Sequence, residues 1–231
     1  YNTEESIDPE GSVTVIDLLE GLDAAVVRTV GFSHLNDQAD ALRAAGVRIF
    51  GPGATVAQDF EPEYIAVAPN GQSAWVALQE NNAAAVLDLS DLDAPRISRI
   101  IPFGLKNHLL PDNALDASDR DDAINIRIWP LQGMYLPDAI AAYQIKGETF
   151  YVTANEGDAR DYDNFSEEAR VGSAGFGPLA DELVAASGLA SSDALKANEA
   201  LGRLTASNAT SQRNEAGAVT AIHASAGRPF S

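Results

Sequence analysis

The sequence predicts an all-β chain arranged as a β-propeller, and three observations carry that expectation: a repeated strand pair, a second repeat in register with it, and Gly-containing turns at the joints. In the first repeat, Pro62-Glu63-Tyr64-Ile65-Ala66-Val67-Ala68-Pro69-Asn70-Gly71 leads into Gln72-Ser73-Ala74-Trp75-Val76-Ala77-Leu78-Gln79-Glu80-Asn81. Its counterpart, Pro137-Asp138-Ala139-Ile140-Ala141-Ala142-Tyr143, leads through Ile145-Lys146-Gly147 into Thr149-Phe150-Tyr151-Val152-Thr153-Ala154-Asn155-Glu156-Gly157. Each copy opens on proline and an acid, runs as a short apolar strand, turns, and resumes as a strand with an aromatic centre. The two prolines stand 75 positions apart (137 minus 62). In the second register, Val13-Thr14-Val15-Ile16-Asp17-Leu18 matches Ala84-Ala85-Val86-Leu87-Asp88-Leu89, with the aspartates 71 apart (88 minus 17). Strand, tight turn, strand, polar turn, strand is an antiparallel meander, and a meander recurring at a fixed period is how propeller blades appear in sequence.

The period exceeds the roughly 40–50 residues of compact blades, so insertions must separate some strands. Residues 36–45 read as a short helix, with Asn36 as N-cap and Gly46 as the stop. Residues 104–135 read as a long acidic loop insertion. Two further short helices are expected within 178–201: Pro178 to Ser187 before Gly188, and Ser192 to Leu201 before Gly202. The chain begins just before a blade's third strand and stops at Arg228-Pro229-Phe230-Ser231, where another strand opens. About three blade segments are recognisable across a single domain of residues 1–231, whereas a closed ring needs roughly four or more. The expectation is an incomplete ring that self-associates or pairs with the rest of a longer propeller.

Composition narrows the function classes. The formal charge is -19, from 34 acids against 15 bases, which repels nucleic acid and anionic lipid. Only Lys106, Lys146 and Lys196 are lysines, and an acidic, Lys-poor surface suits a salty medium. Without cysteine there are no disulfides and no thiolate metal sites. No apolar run approaches the roughly 20 residues of a membrane helix. The opening Tyr1-Asn2-Thr3-Glu4-Glu5 is polar and acidic, so a signal peptide is absent or already removed.

Longer strings carry a family resemblance. Ala44-Ala45-Gly46-Val47-Arg48-Ile49-Phe50-Gly51-Pro52-Gly53-Ala54, Glu61 to Val67, and Leu78-Gln79-Glu80-Asn81-Asn82 resemble the bacterial choice-of-anchor I family. So do Leu115-Asp116-Ala117-Ser118-Asp119-Arg120-Asp121, Thr153 to Tyr162, and Phe165 to Gly172. The resemblance implies an exported or surface-anchored propeller protein of a kind often labelled alkaline phosphatase-like. An extracytoplasmic location is therefore expected, either secreted, periplasmic or at the cell surface.

Two acidic segments are candidate sites. Asp112, Asp116, Asp119, Asp121 and Asp122 offer the hard oxygens that Ca²⁺ requires, although their spacing is not that of an EF-hand. The competing reading is a solvated acidic loop, or carboxylates paired with Arg120 and Arg127. The second segment runs from Asn155 to Asp163 and offers Glu156, Asp158, Asp161 and Asp163, with Gly157 allowing close backbone approach. Gln79-Glu80-Asn81-Asn82 holds the equivalent place in the other repeat. Here the competing reading is turn capping, since Asp and Asn bond their own backbone in turns, with Arg160 paired to a neighbouring carboxylate.

His34, His108 and His223 are scattered, which argues against a two-zinc phosphatase. Of these, His108 adjoins the acidic insertion and is the one kept as a candidate. No Gly-x-Ser-x-Gly elbow occurs. Trp75 and Tyr151 read as packing between blades. The function expected is a cation-dependent binding or structural module for a glycan or protein ligand. The alternative is a metal-dependent phosphoesterase, for which Arg120, Arg127 and Arg160 supply the positive charge near the acidic loops.

Overall fold

The computed structural model describes residues 8–225. The strand expected at Arg228–Ser231 lies outside them, as does the Tyr1–Glu5 segment. In chain order the strands are β1 (Ser12–Asp17), β2 (Val26–Gly31), β3 (Pro62–Val67), β4 (Ser73–Leu78), β5 (Ala83–Asp88), β6 (Arg96–Pro102), β7 (Leu105–Asn107) and β8 (Leu131–Met134). They continue as β9 (Pro137–Ile145), β10 (Glu148–Asn155), β11 (Asp161–Tyr162), β12 (Phe165–Ser166), β13 (Glu168–Arg170), β14 (Thr205–Ser207), β15 (Gln212–Arg213) and β16 (Val219–Ala224). The α-helices are short: α1 (Ala39–Ala44), α2 (Val56–Asp59), α3 (Asp181–Ser187) and α4 (Ser192–Leu195). The chain is therefore all-β, with few helices, and no sheet among the described residues closes on itself. It divides into two units, one comprising residues up to Gly104 together with Leu136–Asp158, the other Leu105–Tyr135 with Ala159 onward.

In the first unit, β3-β4-β5-β6 is a four-stranded antiparallel meander. Both copies of the repeat fold as antiparallel hairpins: Ala66 pairs with Trp75 in β3–β4, and Ala142 pairs with Tyr151 in β9–β10. Lys146 and Gly147, at φ 52 and 87, make the two-residue turn of the second hairpin; positive φ at both positions matches the turn's twist to that of the strands. The second register holds as well. β1 and β5 each end on an aspartate whose carboxylate accepts a backbone N–H two residues on: Asp17 from Leu19 at 2.9 Å, Asp88 from Ser90 at 3.0 Å. β5 is buried from Ala83 through Leu87, and its three small alanines allow close cover on both faces. The core of this unit gathers Val13, Val30, Val47, Ile49, Val76, Leu78 and Leu87 around Phe32 and Phe60, whose rings meet edge to face at 5.3 Å.

Helix boundaries depart from the sequence pattern for local reasons. A 3-10 turn, Ser33–Gln38, precedes α1. Asn36 does not cap α1; its side chain accepts the Ala57 N–H at 2.9 Å, tying this segment to α2. Gly46 does stop α1, at φ 100, with the Val47 N–H returning to the Leu42 carbonyl. α3 starts later than Pro178 because Leu179 forms a parallel bridge to Val219 and the Ala180 N–H bonds the Val219 carbonyl. α4 is a single turn capped by Ser191, whose hydroxyl accepts the Ala194 N–H at 3.1 Å.

The second unit is a six-stranded sheet ordered β13-β14-β16-β8-β7, with β15 beside β16. One pair departs from a meander: β16 and β8 run parallel, Ile222 beside Leu131. The ends of the acidic insertion thus become β7 and β8. Its middle is pinned by a Leu115–Arg127 bridge and by buried Trp129, whose indole N–H donates to the Leu115 carbonyl at 3.1 Å.

Candidate functional site

The turn Gln79-Glu80-Asn81-Asn82 connects β4 to β5, and all four residues are buried. Each carries a polar side chain, so each requires a partner inside the protein. Asn81 donates through Nδ2 to the Asp59 carboxylate at 2.7 Å and to the Arg48 carbonyl at 2.7 Å. Asp59, with no exposure at all, also accepts the Phe50 N–H at 3.0 Å and the Gly51 N–H. Arg48 donates to the Glu80 carbonyl and lies over the Phe50 ring, 4.4 Å from its centroid. Gln79 and Asn82 face the start of β9: the Leu136 N–H donates to Asn82 Oδ1 at 3.1 Å, and Gln79 Nε2 donates to the Leu136 carbonyl at 3.3 Å. Leu136 is fully buried at φ 41, a costly backbone state for a branched residue, and this clamp holds it there. In the turn expected to present groups to a ligand, the Gln79, Asn81 and Asn82 side chains thus hydrogen-bond within the scaffold. Arg48, Asp59 and Leu136, which complete the network, lie too far off in sequence for local pattern to single them out.

The equivalent turn after β10 behaves differently. Glu156 accepts from Gln79 Nε2 at 3.4 Å, and Gly157, at φ 86, donates to the Leu136 carbonyl at 3.2 Å, so its glycine serves the turn. Glu156 and Asp158 are exposed and belong to the first unit, whereas Asp161 and Asp163 belong to the second. Glu156 and Asp158 act on Glu63 of β3. The Glu63 carboxyl is held above the usual carboxylate range, first by burial of part of the side chain and then by the charges of Asp138, Glu61, Asp158 and Glu156.

In the second unit, no three of the five carboxylates of the acidic insertion come together. Asp119 takes a two-pronged contact from Arg203, Nε at 3.1 Å and Nη2 at 3.3 Å, with Arg120 Nε 3.7 Å away. The hydrogen bond from Arg203 holds the Asp119 carboxyl below its ordinary value. Asp116 accepts the Asn125 N–H at 3.2 Å, and Asp121 accepts from the Ala123 N–H and from Asn125 Nδ2, both at 3.3 Å. Asp112 sits in the first turn of a 3-10 helix, and Asp122 takes a positive φ of 54. Arg127 does not join them; it donates to the Ser187 carbonyl at 2.6 Å and stacks over Trp129. Among the described residues no group of three or more His, Asp or Glu side chains converges closely enough to hold a metal ion. His108 is buried, with Nδ1 2.6 Å from the Asn113 carbonyl oxygen. His223 is buried on β16, and His34 is exposed in the 3-10 turn before α1. Arg160 is buried, its backbone N–H donating to the Glu167 carboxylate at 3.1 Å.

The family model for the choice-of-anchor I domain matches residues 2–231. The chain belongs to that family. Membership makes the choice-of-anchor I chain a bacterial surface-associated module, and among the described residues no helix is long and apolar enough to cross a membrane. No curated protein and no solved structure matches it.

Proposed function

We propose that this choice-of-anchor I chain is part of an extracytoplasmic β-propeller whose role is that of a binding or structural module, engaging another protein surface through the outer face of the β9–β10 hairpin. The observation that carries the reading is the two-sidedness of that hairpin. One face holds buried Ile140 and also Tyr151, which stacks on Trp75 of β4 at 4.4 Å with the rings 11° from parallel. The other face carries Tyr143, Ile145, Phe150 and Val152, which remain 43%, 51%, 40% and 53% exposed. Tyr143 and Phe150 are register partners, their rings 5.6 Å apart. A sheet apolar on both faces suits a propeller blade, which is covered by a neighbour on each side. On a solvent-facing surface the same feature marks an interaction site. The test is a photo-crosslinking amino acid at position 145 in the protein on intact cells. Capture of a second polypeptide or a second copy supports the reading; label found only on water or lipid, or a chain inaccessible from outside, defeats it.

A cation-dependent form of this reading draws support from Glu63. Its carboxyl feels the charges of Asp138, Glu61, Asp158 and Glu156, and although no three of these groups converge as ligands, such a density of negative charge attracts a divalent cation. Melting temperature measured with Ca²⁺ and with NaCl of equal ionic strength separates binding from screening. A larger rise with Ca²⁺, reversed by chelator, supports the cation; equal rises reduce the cluster to a screened acidic edge.

A further inference from the structure

The second unit contains a cavity of about 420 Å³ whose lining includes Asp116, Ser118, Asp119, Arg170, Arg203 and Thr205. That volume lies in the range of small-molecule sites, roughly 300–1,000 Å³. Its charge differs from that of the chain. Two guanidinium groups, of Arg170 and Arg203, line it with two carboxylates, of Asp116 and Asp119. The lining is thus balanced in charge within a chain of formal charge -19. Arg203 is committed to Asp119 through Nε and Nη2. Arg170 is exposed and donates through Nη1 to the Arg203 carbonyl, which fixes the guanidinium at the cavity wall and leaves its other N–H groups to the cavity. A planar guanidinium presented in this way is suited to a bidentate anion.

The other lining groups restrict which anion. Asp116 uses one oxygen for the Asn125 N–H, so its other oxygen can accept from a ligand. Thr205 and Ser225, each with a hydroxyl, also line the cavity. Phosphate at neutral pH brings close to two negative charges and has little to donate to Asp116. A ligand with one carboxylate and several hydroxyls satisfies both halves of the lining. We propose that this cavity binds a sugar acid, its carboxylate on Arg170 and its hydroxyls donating to Asp116 and bonding Thr205 and Ser225. The site goes beyond the sheet-face reading and does not depend on it: crosslinking at position 145 reports on another surface.

The experiment titrates the full chain with galacturonic acid and its dimer and trimer, with galactose and with inorganic phosphate, followed by calorimetry and by amide chemical shifts. Saturable binding of the uronates is expected, with shifts at Arg170, Arg203 and Thr205. Galactose should bind about tenfold more weakly or worse, because it lacks the carboxylate that the guanidinium recognises. Arg170→Gln should weaken uronate binding by about tenfold, and Arg170→Lys by less, since a point charge replaces a fork. Thr205→Ala provides a second variant should Arg170→Gln disturb the fold. Phosphate binding as tightly as uronate, galactose binding equally well, uronate binding unchanged in both Arg170→Gln and Thr205→Ala, or no uronate binding at millimolar concentration would each overturn the proposal.

Discussion

Asp59 and Glu63 lie four residues apart and show opposite fates for a carboxylate in this chain. Asp59 is sealed from water and meets three N–H donors, from Phe50, Gly51 and Asn81. Removing it strands those donors in the interior, and Asp59→Ala is expected to cost about 3 kcal/mol, read from urea unfolding. A cost under about 1 kcal/mol would show that the network is looser than its geometry. Glu63, by contrast, is exposed and repelled by four neighbouring acids, which raises its affinity for a proton in the folded state. Such a group contributes stability that is fully present below its unfolded value and is lost as pH rises through the raised folded value. Glu63→Gln should therefore raise the melting temperature at neutral pH and have little effect near about pH 4. The gain is at most about 0.5 kcal/mol, because solvent screens an exposed side chain. A gain independent of pH would remove charge repulsion as its cause. Nothing in the local sequence separates these two acids, since burial is decided by which distant segments fold over them.

At the scale of elements, sequence pattern was informative wherever the forces were local. The hairpins at 62–78 and 137–155, the Gly46 stop and the turns capped by Asp17 and Asp88 depend on residues a few positions apart, and each is legible in the sequence. Other polar residues are engaged at long range. Arg203 reaches Asp119 across 84 positions, and Asn36 reaches Ala57 across 21. Composition alone could not reveal that the carboxylates already had such partners. The matching aromatics Trp75 and Tyr151 were visible, and the structure adds their direct stacking. In a double-mutant cycle of Trp75→Leu and Tyr151→Leu, a coupling of about 1 kcal/mol is expected from that stacking. The Tyr151 hydroxyl is buried with no hydrogen-bond partner among the described residues, so Tyr151→Phe should stabilise the protein by about 1 kcal/mol. Destabilisation by that substitution would place an ordered water or other partner on the hydroxyl.

For the molecule as a whole, the outer face of β9–β10 sets the expected state in solution. Tyr143 and Phe150 meet across the pair, with Ile145 and Val152 beside them on the same face, and all four are substantially exposed. Contiguous apolar surface of this kind is uncommon on monomers, because covering it removes area from water at about 25 cal/mol per Å². Among the described residues β9 and β10 form a two-stranded sheet, whose ladder edges are open to pairing. In purified protein the available cover is a second copy of the same face. Light scattering at tens of micromolar should therefore give a mass above the 24.3 kDa of one chain. Ile145→Thr with Val152→Thr should return the mass to that of a monomer. Neither side chain is buried in the isolated chain, and threonine keeps the β-branching that suits a strand, so the melting temperature of the dilute protein should change little. If the double variant loses its fold, those residues are packed in the monomer and the face is not free. If the unaltered chain stays monomeric at high concentration with the hairpin protected from hydrogen exchange, the apolar face is covered within the chain, and the role assigned to it fails.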